Sequence, residues 1–222
     1  MIEILDQTTK NPITLIGSRA GICYNSDVTC NEKNYKRGLE CVKTNHGRTL
    51  EIPTVELHIS GYSARVIREW YTHIGCLPTR LQASTRYIDY KNFGCYIPDT
   101  IFNNESAMRV TDHVINEIGN GLKKLSSIGI PREDIANLLP MGYLTEIYDK
   151  RNLRNLIDMF HQRECTRTYK EFRALMKELK SEISDYSEEW RWICDNLFVP
   201  KCEFLGYCPE KNCCGRKSQR ED

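Results

Sequence analysis

Along the first sixty residues short apolar runs alternate with turn residues, and one segment stands out. From Thr54 to Ser60, Val55, Leu57 and Ile59 fall on one side and Thr54, Glu56, His58 and Ser60 on the other, the pattern of a half-buried antiparallel strand. Gly61 is expected to end that strand, and Ser63 to cap a helix in which Val66, Ile67 and Trp70 recur at helical spacing. Gly75 and Pro78 then open a polar loop that reaches Tyr90. Beyond it the period becomes helical. Val110, Val114, Ile118, Leu122 and Leu125 form a stripe over about residues 105 to 127, weakened in its later turns by Gly119 and Gly121. Pro131 followed by Arg132, Glu133 and Asp134 reads as a helix start, with acids set favourably against the dipole. Leu153, Leu156, Ile157 and Phe160 mark another helix, Tyr169, Phe172, Leu175, Met176 and Leu179 a third, and Trp190 to Leu197 a short last one. The expected fold class is α+β: a small antiparallel sheet, formed early, packed with a helical half.

Composition narrows the picture. With 222 residues, 40% hydrophobic and 27% charged, the chain is a folded protein with room for one ordinary domain and a small appendage. The division expected is a main domain over 1–198 and a Cys-rich tail over 199–222. Thirty-one basic and 30 acidic side chains leave a net charge of +1. A dedicated duplex-DNA binder usually carries a basic excess, so a nucleic-acid partner is not expected. No apolar run approaches the roughly 18 residues of a membrane span. The N-terminus lacks the basic and apolar stretches of a signal peptide, so the expected location is cytoplasmic. The sequence holds 11 cysteines. Most of the scattered ones read as small buried hydrophobes, because intracellular thiols stay reduced. The last four, Cys202, Cys208, Cys213 and Cys214, lie close enough in sequence to hold a tetrahedral zinc, although paired C-x2-C knuckles are missing. The other reading is a reduced, solvent-facing tail.

There is no Walker loop, no G-x-S-x-G and no H-E-x-x-H, and Gly119-Asn120-Gly121 lacks the third glycine and the preceding strand of a dinucleotide fingerprint. Two polar clusters carry the chemistry instead. The first runs from Arg68 to His73 and continues through Thr79-Arg80-Leu81-Gln82-Ala83-Ser84-Thr85-Arg86-Tyr87. Arginines, hydroxyls and loop amides suit a phosphate or carboxylate, because a guanidinium donates two parallel hydrogen bonds. The second comprises Asn152, Arg154, Asp158 and Arg163. On a helix Arg154 and Asp158 share a face, and on spacing alone this is an ordinary solvated face with ion pairs.

Taken in order, these pieces resemble the flavin-dependent thymidylate synthases. That family carries an R-H-R-x-x-S signature ending in S-x-R-Y, a later L-P-x-x-x-Y-T segment and an N-x-R-S-L-x-x-F-x-x-x-R helix. The counterparts here are His73 with Ser84-Thr85-Arg86-Tyr87, Leu139-Pro140 with Thr145, and Asn152 to Arg163. His46-Gly47-Arg48-Thr49-Leu50-Glu51 looks like the family's H-x-T-P-F-E. The resemblance covers roughly residues 15 to 175. It implies a homotetramer that converts dUMP to dTMP with FAD as cofactor, methylenetetrahydrofolate giving carbon and NADPH giving hydride. It also implies residue roles. His46, Glu51, His73, Asn152 and Arg154 match flavin-contacting positions, and Asp158 is grouped with them on the same helix. Ser84, Thr85 and Arg86 fall at nucleotide-binding positions, with Gln82 in the place of a glutamate. Arg163 matches the arginine that contacts the uracil ring and polarises it for attack by its C5.

The sequence departs from the family pattern at defined places. Thr72 and Ile74 replace both arginines of R-H-R, Ala136 stands where a phosphate-binding arginine is expected, Leu144 replaces the tyrosine of L-P-x-x-x-Y-T, and Asn155 replaces the serine after Asn152-x-Arg154. The alternative these departures leave is a relative with altered or no activity that binds a pyrimidine nucleotide or nucleic acid, its tail stapled by zinc.

Overall fold

The computed structural model describes residues 1–220. Its strands are β1 (Ile2–Ile4), β2 (Thr54–Ser63), β3 (Thr79–Gln82) and β4 (Leu144–Asn152). They form one sheet in the order β1-β2-β4-β3. The helices are α1 (Pro12–Ile22), α2 (Asn31–Lys43), α3 (Ala64–Trp70), α4 (Asp99–Phe102), α5 (Glu105–Ser127), α6 (Arg132–Ile135), α7 (Leu153–Arg163), α8 (Lys170–Tyr186), α9 (Glu188–Asn196) and α10 (Lys201–Leu205). The α+β class is as expected, but the sheet is not confined to the early chain. Its second-longest strand, β4, lies beyond the longest helix and pairs in the middle.

Two groups of residues each pack within themselves. One comprises Met1, Ile59–Thr72 and Leu81–Ile147; the other comprises Ile2–His58, His73–Arg80 and the chain from Tyr148 onward. In the first, Ser63 Oγ accepts from the Val66 amide at 3.2 Å and so starts α3 where expected. Gly61 does not end β2. It takes a left-handed conformation (φ 74°) inside the strand, which a residue without Cβ adopts at no steric cost. Asn104 caps α5 by accepting from Ala107 N at 3.0 Å. The α5 stripe is not a core stripe: Leu122 is buried, whereas Val110 and Val114 are 64% and 49% exposed. The start at Pro131 yields only the single turn of α6 before a 3₁₀ turn over Ala136–Leu138.

In the second group the apolar faces of α7, α8 and α9 supply the core, with Leu156, Phe160, Phe172, Leu175, Leu179, Trp190 and Ile193 buried. Phe160 stacks on Phe198 at 4.1 Å between centroids, and Trp190 Nε1 donates to Thr9 O at 2.7 Å. Asn152 and Ser187 cap α7 and α9 through the amides of Asn155 and Trp190. The first sixty residues, read as turns and short runs, contain α1 and α2. These cross so closely that no side chain fits between Gly17 and Gly38. Glu56, expected on the polar face of β2, is buried. Lys150 Nζ at 2.6 Å and Tyr148 Oη at 2.8 Å donate to its carboxylate, which the lysine above all holds below its ordinary pKa. A buried carboxylate is tolerable when so partnered.

The cysteines depart from expectation. Only Cys194, Cys202 and Cys208 are buried, and burial pushes the Cys194 thiol up to about 12. Three of the four tail cysteines come near one another, Cys208 sharing a side-chain hydrogen bond with Cys213 and lying within electrostatic reach of Cys202, but each has other partners as well. Cys213 Sγ donates to Lys217 O at 3.0 Å, Cys214 engages the Thr166 hydroxyl, and Cys202 lies on α10, which ends at left-handed Gly206. Among the described residues no group of three or more His, Cys, Asp or Glu side chains is placed to hold a metal, so the zinc site expected from Cys202, Cys208, Cys213 and Cys214 is not formed. The tail is tied instead by an ion pair of Arg167 with Glu210 and by Gln219 Nε2 donating to the carbonyls of Glu210 and Lys211. The last two residues of the expected 199–222 tail lie outside the described residues. Among the described residues, no helix is long and apolar enough to cross a membrane.

Candidate functional site

In the unit holding β1 and α7–α9, four of the residues matched to the flavin, His46, Glu51, Asn152 and Arg154, gather at the start of α7, whereas Asp158 lies mid-helix and His73 stands at its far end. Asn152 Oδ1 accepts from Asn155 N at 3.0 Å and fixes the first turn. This leaves Arg154 exposed on the next position, with Nη1 donating to Glu51 Oε1 at 2.7 Å. Arg48 donates to the other Glu51 oxygen at 2.9 Å, and the Arg154 hydrogen bond is the first cause holding Glu51 below its ordinary pKa. The expected neighbour pair of Arg154 with Asp158 gives way to this partner 103 residues distant; Asp158 is exposed on α7. A Cβ on Gly47 would lie 3.4 Å from Cζ of Arg154, so the missing side chain leaves the guanidinium face open beside exposed His46. Two guanidiniums around a glycine step suit the diphosphate of a dinucleotide. The residues present therefore fit FAD.

At the other end of α7 stands Arg163, half-buried. Its Nε–H donates to His73 Nε2 at 2.8 Å, and its guanidinium lies 4.7 Å over the Phe172 ring, within cation–π range. Accepting at Nε2 requires a neutral imidazole with its proton on Nδ1. Burial first, then the cations Arg163 and Arg151, push the His73 pKa down from 6.5 to about 4. The unfolded chain protonates this histidine near 6.5 and the folded chain resists until about 4. Between those values the unfolded state binds more protons. His73 therefore contributes stability that is fully present above pH 6.5 and is lost as pH falls toward 4. Denaturant titrations across this window are expected to show a pH slope that flattens by up to one proton in His73→Gln. Equal slopes would exclude the neutral, buried state.

The nucleotide-matched residues Gln82, Ser84, Thr85 and Arg86 lie in the unit holding α5 and α6. Ser84 Oγ accepts from the Arg86 amide at 3.2 Å, and Ala83 N donates to Glu146 O at 2.9 Å, continuing the edge at β3. Arg86 is exposed, and its Nε donates to Glu133 at 3.0 Å. Ala136 lines a cavity of about 20 Å³ together with Thr85, Lys91 and Arg132. This is room for about one water. The Arg132 guanidinium, one turn before Ala136, donates to Tyr87 O at 2.9 Å. Thr72 and Ile74, in place of the family arginines, are both exposed.

Beside His73, sequence reading missed two residues and took a third, Asn155, only as a departure from the family motif. Asp149 and Arg151 are wholly buried on β4 and joined at 2.7 Å, and Asn155 bridges Arg151 to the loop after His73. Their signal was an alternation in which Thr145, Ile147, Asp149 and Arg151 face inward; charged residues on the buried face conceal a strand from a search for apolar period.

A family profile described as "Thymidylate synthase complementing protein" matches residues 3–186. Among curated relatives, the flavin-dependent thymidylate synthase of Nitratidesulfovibrio vulgaris is 23% identical over 245 residues, with 99% of this chain and 96% of that protein covered. The protein of the same name from Geobacter sulfurreducens is 25% identical, with 96% and 93% covered. Among solved structures, the Streptomyces cacaoi UMP/dUMP methylase PolB bound with 5-Br dUMP superposes with a TM-score of 0.73 at 14% identity, covering 90% of this chain and 96% of that one. The Helicobacter pylori enzyme ThyX complexed with FAD and dUMP gives 0.63 at 19% identity, covering 85% and 97%.

Proposed function

The chain belongs to the flavin-dependent thymidylate synthase family, and on that premise we propose that it methylates dUMP to dTMP with bound FAD, methylenetetrahydrofolate as carbon donor and NADPH as reductant. The observation that carries this reading is the division of labour along α7, whose first turn presents Arg154 beside Glu51 and whose last turn holds Arg163 against His73 and Phe172.

In this reading Arg154 and Arg48 receive the flavin's diphosphate beside Gly47, with His46, Glu51, His73, Asn152 and Asp158 completing the cofactor side. Ser84, Thr85, Arg86 and Gln82 bind the nucleotide, its phosphate displacing Glu133 from Arg86. Bound FAD supplies the hydride chemistry. Arg163 meets a uracil carbonyl oxygen and stabilises the enolate-like charge that develops there as C5 attacks the one-carbon unit. A fixed cation in a partly dry site is worth far more for this than one in water. The exposed apolar stripe of α5, with Val110 and Val114, supports assembly of copies into a homotetramer. The reaction is assigned to residues 1–198, in the cytoplasm, with the 199–222 tail as an appendage.

A second reading is favoured by Thr72, Ile74 and Ala136, which remove three cations from the family pattern: a relative that binds a pyrimidine nucleotide without turning it over. The deciding experiment is an absorption spectrum of the purified protein before and after FAD and dUMP, followed by mass analysis of product from dUMP and, separately, UMP. A retained flavin spectrum that shifts with dUMP, and a product whose mass shows one hydrogen replaced by a methyl group, is expected. A folded protein that takes up no flavin would overturn the synthase reading. Flavin uptake without methylated product would select the second.

A further inference from the structure

A buried polar chain runs from β4 to Arg163. Arg151 Nη2 donates to Asp149 Oδ1 at 2.7 Å and Nη1 to Asn155 Oδ1 at 2.6 Å. With its oxygen so engaged, Asn155 must turn its amide nitrogen the other way. Nδ2 donates to Gly75 O at 2.7 Å and more weakly to His73 O at 3.4 Å. The loop it grips is a tight one: Cys76 and Leu77 have φ of 57° and 52°, a region that L side chains enter only when their surroundings enforce it. His73 at the head of this loop is 8% exposed, stands edge-on to Phe172 at 6.3 Å and receives the Arg163 Nε–H. Arg163 is thus held by a hydrogen bond to one aromatic ring and by the face of another.

We propose that His73 and Asn155 are positioning residues for Arg163, fixing the plane of its guanidinium before the pyrimidine arrives. The inference rests on the reading of Arg163 as the group that meets the pyrimidine. A guanidinium rotates about its side-chain bonds unless Nε–H is engaged, and a misplacement of about 1 Å in a reacting group costs on the order of 10²-fold. Thr72 and Ile74 leave the segment around His73 without the arginines the family motif carries there. The amide of Asn155, where the motif has serine, is long enough to reach the backbone of that segment.

The test uses the ¹⁵N-labelled, flavin-loaded protein and reads two quantities: the Arg163 Nε–H resonance, assigned by its absence in Arg163→Ala, and dUMP affinity by calorimetry. His73→Ala is expected to lose the protected resonance and to bind dUMP roughly 10–10²-fold more weakly. His73→Gln, which keeps an acceptor, is expected to restore most of both. Asn155→Asp keeps an oxygen for Arg151 but sets a second oxygen against Gly75 O; it is expected to release the loop and weaken dUMP in the same direction. It serves in place of His73→Ala should that variant fail to fold. Full dUMP affinity in folded His73→Ala or Asn155→Asp, with affinity lost in Arg163→Ala, would overturn the positioning role and leave Arg163's role standing. Unchanged affinity in Arg163→Ala would instead overturn the reading on which the inference rests.

Discussion

Arg163→Ala is expected to lower kcat/KM for dUMP methylation by roughly 10²–10³-fold, the usual cost of removing one fixed group that stabilises developing charge. The fold is expected to survive. Arg163 is the last residue of α7 and only half-buried, and its principal partners, His73 and Phe172, keep their own anchors: Asn155 on the loop after His73 and the buried face of α8 under Phe172. Arg163→Lys is expected to recover little, because an ammonium can give an N–H to His73 but has no rigid fork of further donors for the substrate and no planar face to lay on Phe172. Single-turnover conversion of dUMP, followed by product mass, with melting curves alongside, checks the prediction. An alanine variant with full turnover would remove Arg163 from the chemistry altogether.

The second large effect concerns stability. Gly17 and Gly38 let α1 and α2 meet backbone to backbone. A Cβ on Gly38 would lie 1.9 Å from Ile13 O, and one on Gly17 would lie 1.8 Å from Asn34 O. Neither obstacle is a side chain that could swing away; each is a backbone carbonyl of the facing helix. The helices must move apart, and Ile13, Ile16 and Val42, all buried, lose contacts as they do. Overpacking of a tight core costs about 1–3 kcal/mol and occasionally more, so Gly38→Ala is expected at or above about 3 kcal/mol, a fall in Tm on the order of 10 °C for a chain of this size. Gly121 is the matched control. It lies in α5 with nothing within 4 Å of an added Cβ, and Gly121→Ala is expected to stabilise by about 0.5–1 kcal/mol through helix propensity alone. Urea unfolding of the two variants gives opposite signs if the close crossing matters. A Gly38→Ala protein as stable as the parent would show that α1 and α2 do not meet in this way.

Local chemistry made much of this architecture readable in advance. Strand β2 and helices α3, α5, α7, α8 and α9 lie where periodicity put them, because each segment carries its own apolar period, and Ser63 starts α3 as its side chain suggested; Asn104, Asn152 and Ser187 cap α5, α7 and α9 in the same way without having been read as caps. The order of polar motifs likewise pointed to the family. Other elements have no such local signature. α1 is rich in β-branched residues and glycine, poor helix formers by themselves, and becomes a helix against α2 through a glycine crossing that no periodicity announces. Strand β4 turns Asp149 and Arg151 inward and is recognisable only once each has the other as partner.

At the candidate site, the sequence by itself determined which chemical groups were on hand: the guanidiniums of Arg48, Arg154 and Arg163, the carboxylate of Glu51 and the imidazole of His73. The tertiary structure alone decided the pairings. Arg154 chose Glu51 over Asp158 four residues away, Cys214 turned to Thr166 while Cys208 paired with Cys213, and Arg163 found His73 at a separation of 90 residues. The physical reason is the reach of the forces involved. Periodicity, capping and propensity act within a few turns of chain, whereas a hydrogen bond or ion pair gains only from the neighbour that folding delivers, and that neighbour is set by how strands pair and helices cross far away in sequence.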